Sequence, residues 1–225
     1  QTTVSAGFSL QLPADAVTLD RGAEAKLKIV ATRQGGFAGP IVLGLQGLPW
    51  GVSCQEITIP AKKNDATLVL KAADVARIRA LRVQVIGRAK IDEDLEVVEI
   101  AKTLASDDDM ELDHLMLAVA MPTPFKVIGE FETKYAARGS TYHRHFTIDR
   151  GGFEGPIEIR MADRQVRHLQ GVTGGSLMVP AGQSEFDYPV YLAPWMEVGR
   201  TSRTCVTAIG FLEDEYGTRH EVSST

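Results

Sequence analysis

Gly35-Gly36-Phe37-Ala38-Gly39-Pro40-Ile41 returns later in the chain as Gly151-Gly152-Phe153-Glu154-Gly155-Pro156-Ile157. Recurrence of so specific a string in diverged surroundings marks an internal duplication. Outward from this box the register holds. Phe8 and Phe125 stand 117 residues apart, as do Arg21-Gly22 and Arg138-Gly139, while the box itself repeats at 116. Further on, Ile59-Pro60-Ala61 answers Val179-Pro180-Ala181 at 120, and Gly87 answers Gly210 at 123. Spacings that drift in small steps are those of loop insertions between fixed strands. The period exceeds the roughly 20–50 residues of solenoid and propeller units, so each copy is expected to close its own core. A chain of 225 residues holds two such units of ordinary domain size. The expected units are residues 1–121, ending in an acidic connector over about 103–121, and residues 122–225.

The box is a backbone device. Glycine takes positive φ at little steric cost, and Pro40 fixes φ where the next strand begins. Phe37 is expected to turn down as a plug. A phosphate-binding loop would run into a helix N-terminus, and here a strand follows.

Around the box the apolar residues alternate. Phe8, Leu10 and Leu12 alternate with Ser9 and Gln11; Ala25, Leu27, Ile29 and Ala31 alternate with Lys26 and Lys28. Ile41-Leu43-Leu45, Leu68-Leu70 and Leu81-Val83-Val85 continue the series, separated by turns rich in Gly, Pro, Asn and Asp. In the second copy Phe125-Val127, Phe146-Ile148, Ile157-Ile159-Met161, Val190-Leu192 and Val206-Ala208 occupy the matching places. Short period-2 strands with such punctuation predict an antiparallel β-sandwich. The stretch from Val75 to Arg82 tolerates helix but lies between strands, which predicts a short turn.

Composition excludes some functions. A net charge of −5 without a basic stripe argues against nucleic-acid binding through phosphates. The longest apolar run, Leu115–Met121, has seven residues, far below the ~20 of a membrane-spanning helix. It reads equally as a last strand of the first unit or as a linker. The chain starts at Gln1, which predicts a processed end or a piece of a longer polypeptide. Asp107-Asp108-Asp109 lie between the copies; a triple acidic run is a solvated connector or, since hard cations want clustered carboxylates, a calcium site.

The strings Phe37 to Leu43, Gly47-Leu48-Pro49-Trp50-Gly51-Val52, Ile59-Pro60-Ala61 and Leu68 to Ala72 resemble the immunoglobulin-like repeats of large secreted or cell-surface proteins of planctomycete-type bacteria, which often accompany pre-peptidase-like domains. The likeness covers nearly all of the first copy. In the second it covers the box and Val179 to Gly182, while His168-Leu169-Gln170-Gly171-Val172 departs from the Gly-Leu-Pro-x-Gly-Val pattern. The resemblance implies an all-β chain of two tandem immunoglobulin-like antiparallel β-sandwich domains, non-catalytic and secreted or in the cell envelope. It carries no functional residues over.

Candidate sites are few. His143 and His145, two apart on a strand, share a face and are candidate transition-metal ligands; inward Phe146 and Ile148 would leave both in solvent. Cys54 and Cys205 fall at non-equivalent places, which predicts two reduced thiols in place of an intradomain disulfide. Trp50 and Trp195 are sugar-stacking platforms if exposed, and otherwise plugs at the end of the sandwich. A Gly-x-Ser-x-Gly elbow is absent from the sequence, and no His follows Cys54 at nucleophile spacing. The expectation is therefore no enzyme and no cofactor. Its expected role is spacing, assembly or adhesion, with protein partners, neighbouring domains of the same polypeptide or a cell-surface glycan. The alternative is a carbohydrate- or calcium-binding accessory module of an exported enzyme.

Overall fold

The computed structural model describes residues 7–92, 95–104, 111–130, 135–162, 171–199 and 204–225, and their regular structure is all β-strand. The chain divides into two compact units, Gln1–Met121 and Pro122–Thr225.

Unit 1 carries β1 (Phe8–Gln11), β2 (Ala16–Asp20), β3 (Glu24–Arg33), β4 (Ile41–Gln46), β5 (Val52–Cys54), β6 (Ile57–Ile59), β7 (Asp65–Ala72), β8 (Arg79–Asp92), β9 (Leu95–Ile100), β10 (Thr103–Leu104), β11 (Glu111–Leu112) and β12 (Leu115–Ala120). One sheet has the order β1-β3-β7-β5 and the other β2-β12-β8-β4-β6, with β9 also paired to β8. With β1, β3, β7 and β5 as strands A, B, E and D, and β4, β8 and β12 as C, F and G, this is the ABED and CFG arrangement of an immunoglobulin-type sandwich. Strand β2 runs parallel to β12.

Unit 2 repeats the plan with β13 (Lys126–Ile128), β14 (Thr141–Asp149), β15 (Ile157–Met161), β16 (Val172–Thr173), β17 (Leu177–Val179), β18 (Glu185–Leu192), β19 (Val206–Glu213) and β20 (Arg219–Ser224). Its sheets are β13-β14-β18-β16 and β17-β15-β19-β20.

The alternating residues line the two interiors. Ile29, Ile41, Leu43, Leu68 and Leu70 are sealed in unit 1, and Ile157, Ile159, Tyr188, Val190 and Ala208 in unit 2. The repeated glycines and aromatics belong to one packing motif. Phe37 lies against Phe8 with ring centroids 5.8 Å apart, and Phe153 against Phe125 at 5.1 Å. A Cβ on Gly87 would fall 2.5 Å from Leu10 Cδ1, and one on Gly210 would fall 2.7 Å from Phe125 Cε1. Glycine in mid-strand F therefore admits the side chains of strand A, a close approach bought with weaker local strand preference.

An arginine locks each box in place. Arg33 donates to the carbonyls of Gly39 at 2.6 Å, Pro60 at 3.1 Å and Lys63 at 3.0 Å. Arg150 donates to the equivalent carbonyls of Gly155 at 2.8 Å, Pro180 at 2.7 Å and Gln183 at 2.8 Å. The planar guanidinium fork reaches the B–C loop and the turn before strand E together. This accounts for the repetition of Ile-Pro-Ala as Val-Pro-Ala.

The expected connector over 103–121 is corrected by the strands it contains. The first half of the G position is β9, which pairs with the far half of β8 (Ile86↔Ile100). The chain then leaves the sheet, forms the β10–β11 hairpin and returns as β12 against the near half of β8 (Leu115↔Val83). Leu115, Leu117 and Val119 are core residues. Apolar alternation on a segment flanked by two paired strands makes it sheet interior and not linker. Lys102, at the point of departure, bonds through its backbone to Leu10 and Leu12, tying the excursion to β1. Asp107, Asp108 and Asp109 lie outside the described residues, as do residues 168–170.

The two interiors differ at one flank. Ala25 and Leu27 of β3 face into unit 1 opposite Leu70 and Leu68. Their counterparts on β14 are Tyr142 and Arg144, opposite Val190 and Tyr188.

Candidate functional site

Two loops meet at one pole of each unit. In unit 1 the turn after β4 carries Trp50, and the loop after β7 carries Val75. Gly51 accepts a hydrogen bond from the Ala73 amide at 2.8 Å, and Arg21 donates from Nε to the Ala76 carbonyl at 2.6 Å. In unit 2 Gly171 accepts from the Ala193 amide at 3.0 Å, and Arg138 donates to the Met196 carbonyl at 3.3 Å. The pairs Arg21-Gly22 and Arg138-Gly139 recur because each arginine braces this loop, while each glycine, at φ +73°, turns the chain into strand B.

The brace holds an indole in solvent. Trp50 and Trp195 are each 65% exposed. The expectation that Trp50 plugs the sandwich is corrected: Gly51 leaves no room beneath the turn, since a Cβ there would sit 2.6 Å from the Ala76 backbone, and the bulky neighbour is pushed outward. Trp195 stands on the other member of the loop pair, its ring edge over Gly171. The two tryptophans hold non-equivalent sequence positions and still occupy the same pole of their respective sandwiches. Val75 beside the first and Val198 beyond the second are also exposed.

His143 and His145 lie exposed on β14, opposite in face to buried Phe146 and Ile148. His145 Nδ1 is 3.0 Å from Asp187 Oδ1 on the neighbouring strand, at the edge of a shallow open depression lined by His145, Glu185 and Asp187. His143 faces Pro189 across the ladder, which offers no side-chain donor. Among the described residues no group of three or more His, Cys, Asp or Glu is gathered to hold a metal. Cys54 and Cys205 are half-buried and not joined in a disulfide. Burial pushes the Cys54 thiol up, against a smaller pull from the Val69 backbone, which disfavours the nucleophilic thiolate.

The strongest electrostatic feature lies in the turn between β19 and β20. His220 Nε2 stands 2.8 Å from Asp214 Oδ2, and Asp214 Oδ1 accepts from the amides of Tyr216 at 2.9 Å and Thr218 at 2.8 Å. The bond from His220, helped by those two amides, holds the Asp214 carboxyl at about 2. This group shapes a turn.

Arg33, Arg150, Asp214 and Arg144 were not singled out by sequence reasoning. The arginines that lock the boxes carried a signal, since each precedes its Gly-Gly-Phe. The extra Gln34 shifts one copy by a residue and hides the match at 116.

No family model and no curated protein matches the chain. Among solved structures it is similar to the D00–D0 domain of intimin, at 9% identity and a TM-score of 0.34, covering 97% of this chain and 96% of that one. It is also similar to fibronectin(III)-like modules of CbhA from Clostridium thermocellum, at 9% identity and a TM-score of 0.32, covering 96% and 91%. At these scores the likenesses carry no functional argument, and the immunoglobulin-type assignment rests on strand order. No helix among the described residues is long and apolar enough to cross a membrane.

Proposed function

We propose that this chain is a non-catalytic interaction and spacing module of an exported bacterial protein. The observation that supports this most is the braced pole of each sandwich, which spends arginine and glycine on holding a tryptophan in solvent. A fold by itself does not specify a role; a rigid exposed aromatic on a pinned loop is a surface suited to recognition, because little rotamer entropy is lost on contact. The resemblance of the Gly-Leu-Pro-Trp-Gly-Val and Ile-Pro-Ala strings is what supports export and envelope location in this reading. The test has two arms. An antibody against the chain should label intact source cells, and purified protein should turn over no peptide, ester or glycoside model substrate. Labelling confined to permeabilised cells removes the exported reading, and turnover abolished by one Asp, Glu or His substitution removes the non-catalytic one.

The same exposed indoles favour a second reading, a carbohydrate-binding accessory module, since a flat exposed ring stacks on a sugar face. Affinity electrophoresis through soluble polysaccharides should then show retardation that falls in Trp50→Ala and Trp195→Ala. Equal mobility of wild type and variants in every polysaccharide removes that reading.

A further inference from the structure

The duplication lets each unit serve as a control for the other, and the outward face of strand B has changed its chemistry between them. By the offset of 117 that relates Arg21 to Arg138, Lys26 and Lys28 of β3 correspond to His143 and His145 of β14. Across the ladder Lys26 faces Val69 and Lys28 faces Thr67, where unit 2 sets Pro189 opposite His143 and Asp187 opposite His145. Unit 1 holds a solvated ion pair here, Lys28 Nζ to Asp65 Oδ2 at 3.6 Å. Ammonium groups have no lone pair to offer a metal; imidazoles do.

The backbone brings the changed side chains together. The Leu192 amide donates to the Ser140 carbonyl and the Ile148 amide to the Ser184 carbonyl, so the even-numbered residues of β14 carry the ladder bonds with β18. His143 and His145 therefore sit in non-hydrogen-bonded pairs, where facing Cα atoms approach to about 4.5 Å and side chains lie closest. Both histidines are exposed. They leave the same face about 6.7 Å apart along the strand. Imidazoles at that spacing incline to one ion with nitrogen–metal bonds of about 2.0–2.1 Å.

Asp187 settles which nitrogen of His145 is free. His145 Nδ1 lies 3.0 Å from Asp187 Oδ1. An ionised carboxylate only accepts, so Nδ1 carries the proton and Nε2 keeps its lone pair. An outer carboxylate fixes the tautomer and ring orientation of metal-ligating histidines in this way. The pair lies at a shallow depression lined also by Glu185, and both side chains are more than half exposed, so an ion reaches them from solvent. Pro189 offers His143 no side-chain partner that would compete for its ring.

The geometry points to a divalent transition-metal site, for zinc or copper, on the outward face of unit 2: a ring nitrogen of His143 and Nε2 of His145 ligate one ion, Asp187 orients His145 from behind, and the remaining positions stay open to water or to a donor atom of a second molecule. This goes beyond the interaction-module reading and does not depend on it.

The test uses the full chain, isotope-labelled on histidine, titrated with zinc chloride and followed by imidazole nitrogen NMR. Zinc should move a ring nitrogen of His143 and Nε2 of His145 together at one midpoint, with Nδ1 of His145 still protonated, before His114 and His220 respond. His143→Lys and His145→Lys install the residues that unit 1 carries and should keep the circular dichroism of the wild type. Each should weaken zinc at least tenfold, and Asp187→Thr, again the unit 1 residue, about tenfold, as loss of an outer-shell partner does. Separate midpoints for the two histidines, or a response no tighter than that of His114 and His220, overturns the proposal in favour of adventitious binding. Unchanged zinc affinity in either lysine variant or in Asp187→Thr overturns it too. Should a lysine variant fail to fold, the wild-type midpoints decide alone.

Discussion

Arg33 and Arg150 show how one side chain can hold a loop that glycine makes loose. The Arg33 guanidinium bonds to three carbonyls and that of Arg150 to four, in each case on two segments, and only a planar fork spans them. Arg33→Ala and Arg150→Ala should each destabilise by about 1–2 kcal/mol, the value of partly exposed charged hydrogen bonds. Lysine at either position should recover less than half of the loss, as measured by chemical denaturation. Asp214 acts on a turn in a similar way, with a pH signature. Its folded pKa, about 2, lies below the roughly 3.9 of an unfolded aspartate. Its contribution is therefore complete above about pH 4 and is lost as pH falls toward about 2. The difference in denaturation midpoint between wild type and Asp214→Asn should hold from neutral pH to about pH 4 and narrow below it.

At the scale of the element, the pole loops depend on backbone proximity. Gly51 has φ +82° and faces the Ala76 backbone, whereas Gly35 and Gly36 have open space around them. Gly51→Ala should thus cost about 2–3 kcal/mol, and Gly36→Ala about 1 kcal/mol from conformational strain alone. A denaturation series of the two variants checks the order. The sequence announced the strands whose buried apolar residues recur at every second position, among them β1, β3, β4 and β15. It concealed β9, whose Leu95, Val98 and Ile100 are exposed while Val97 points inward, so that no period emerges. It concealed β20 as well, where Val222 is the lone buried apolar residue of Arg219–Ser224. Arg144 was hidden for a different reason: a charge at an inward position breaks the alternation that identifies inward positions. The exposed tryptophans were visible as residues, but their exposure depends on a glycine packed against a loop more than 20 residues away in sequence.

The whole molecule is two sandwiches with separate interiors. Leu43 is sealed in one and Ile159 in the other. Leu43→Ala and Ile159→Ala should each remove about 2–5 kcal/mol from the unit that contains the change. Scanning calorimetry should show two transitions, with only the corresponding one displaced by each substitution. One transition moved equally by both would mean that the units unfold as a single cooperative block. The parallel pairing of β2 with β12 has a mechanical consequence within unit 1. Five successive residue pairs, Met116↔Ala16 to Ala120↔Asp20, join strands that point the same way. Tension entering ahead of β2 and leaving beyond β12 loads that ladder lengthwise, so its bonds share the strain in shear and do not peel one after another. A sandwich fastened in this manner resists stretching at its own ends, a useful property for any polypeptide that must bear a pull.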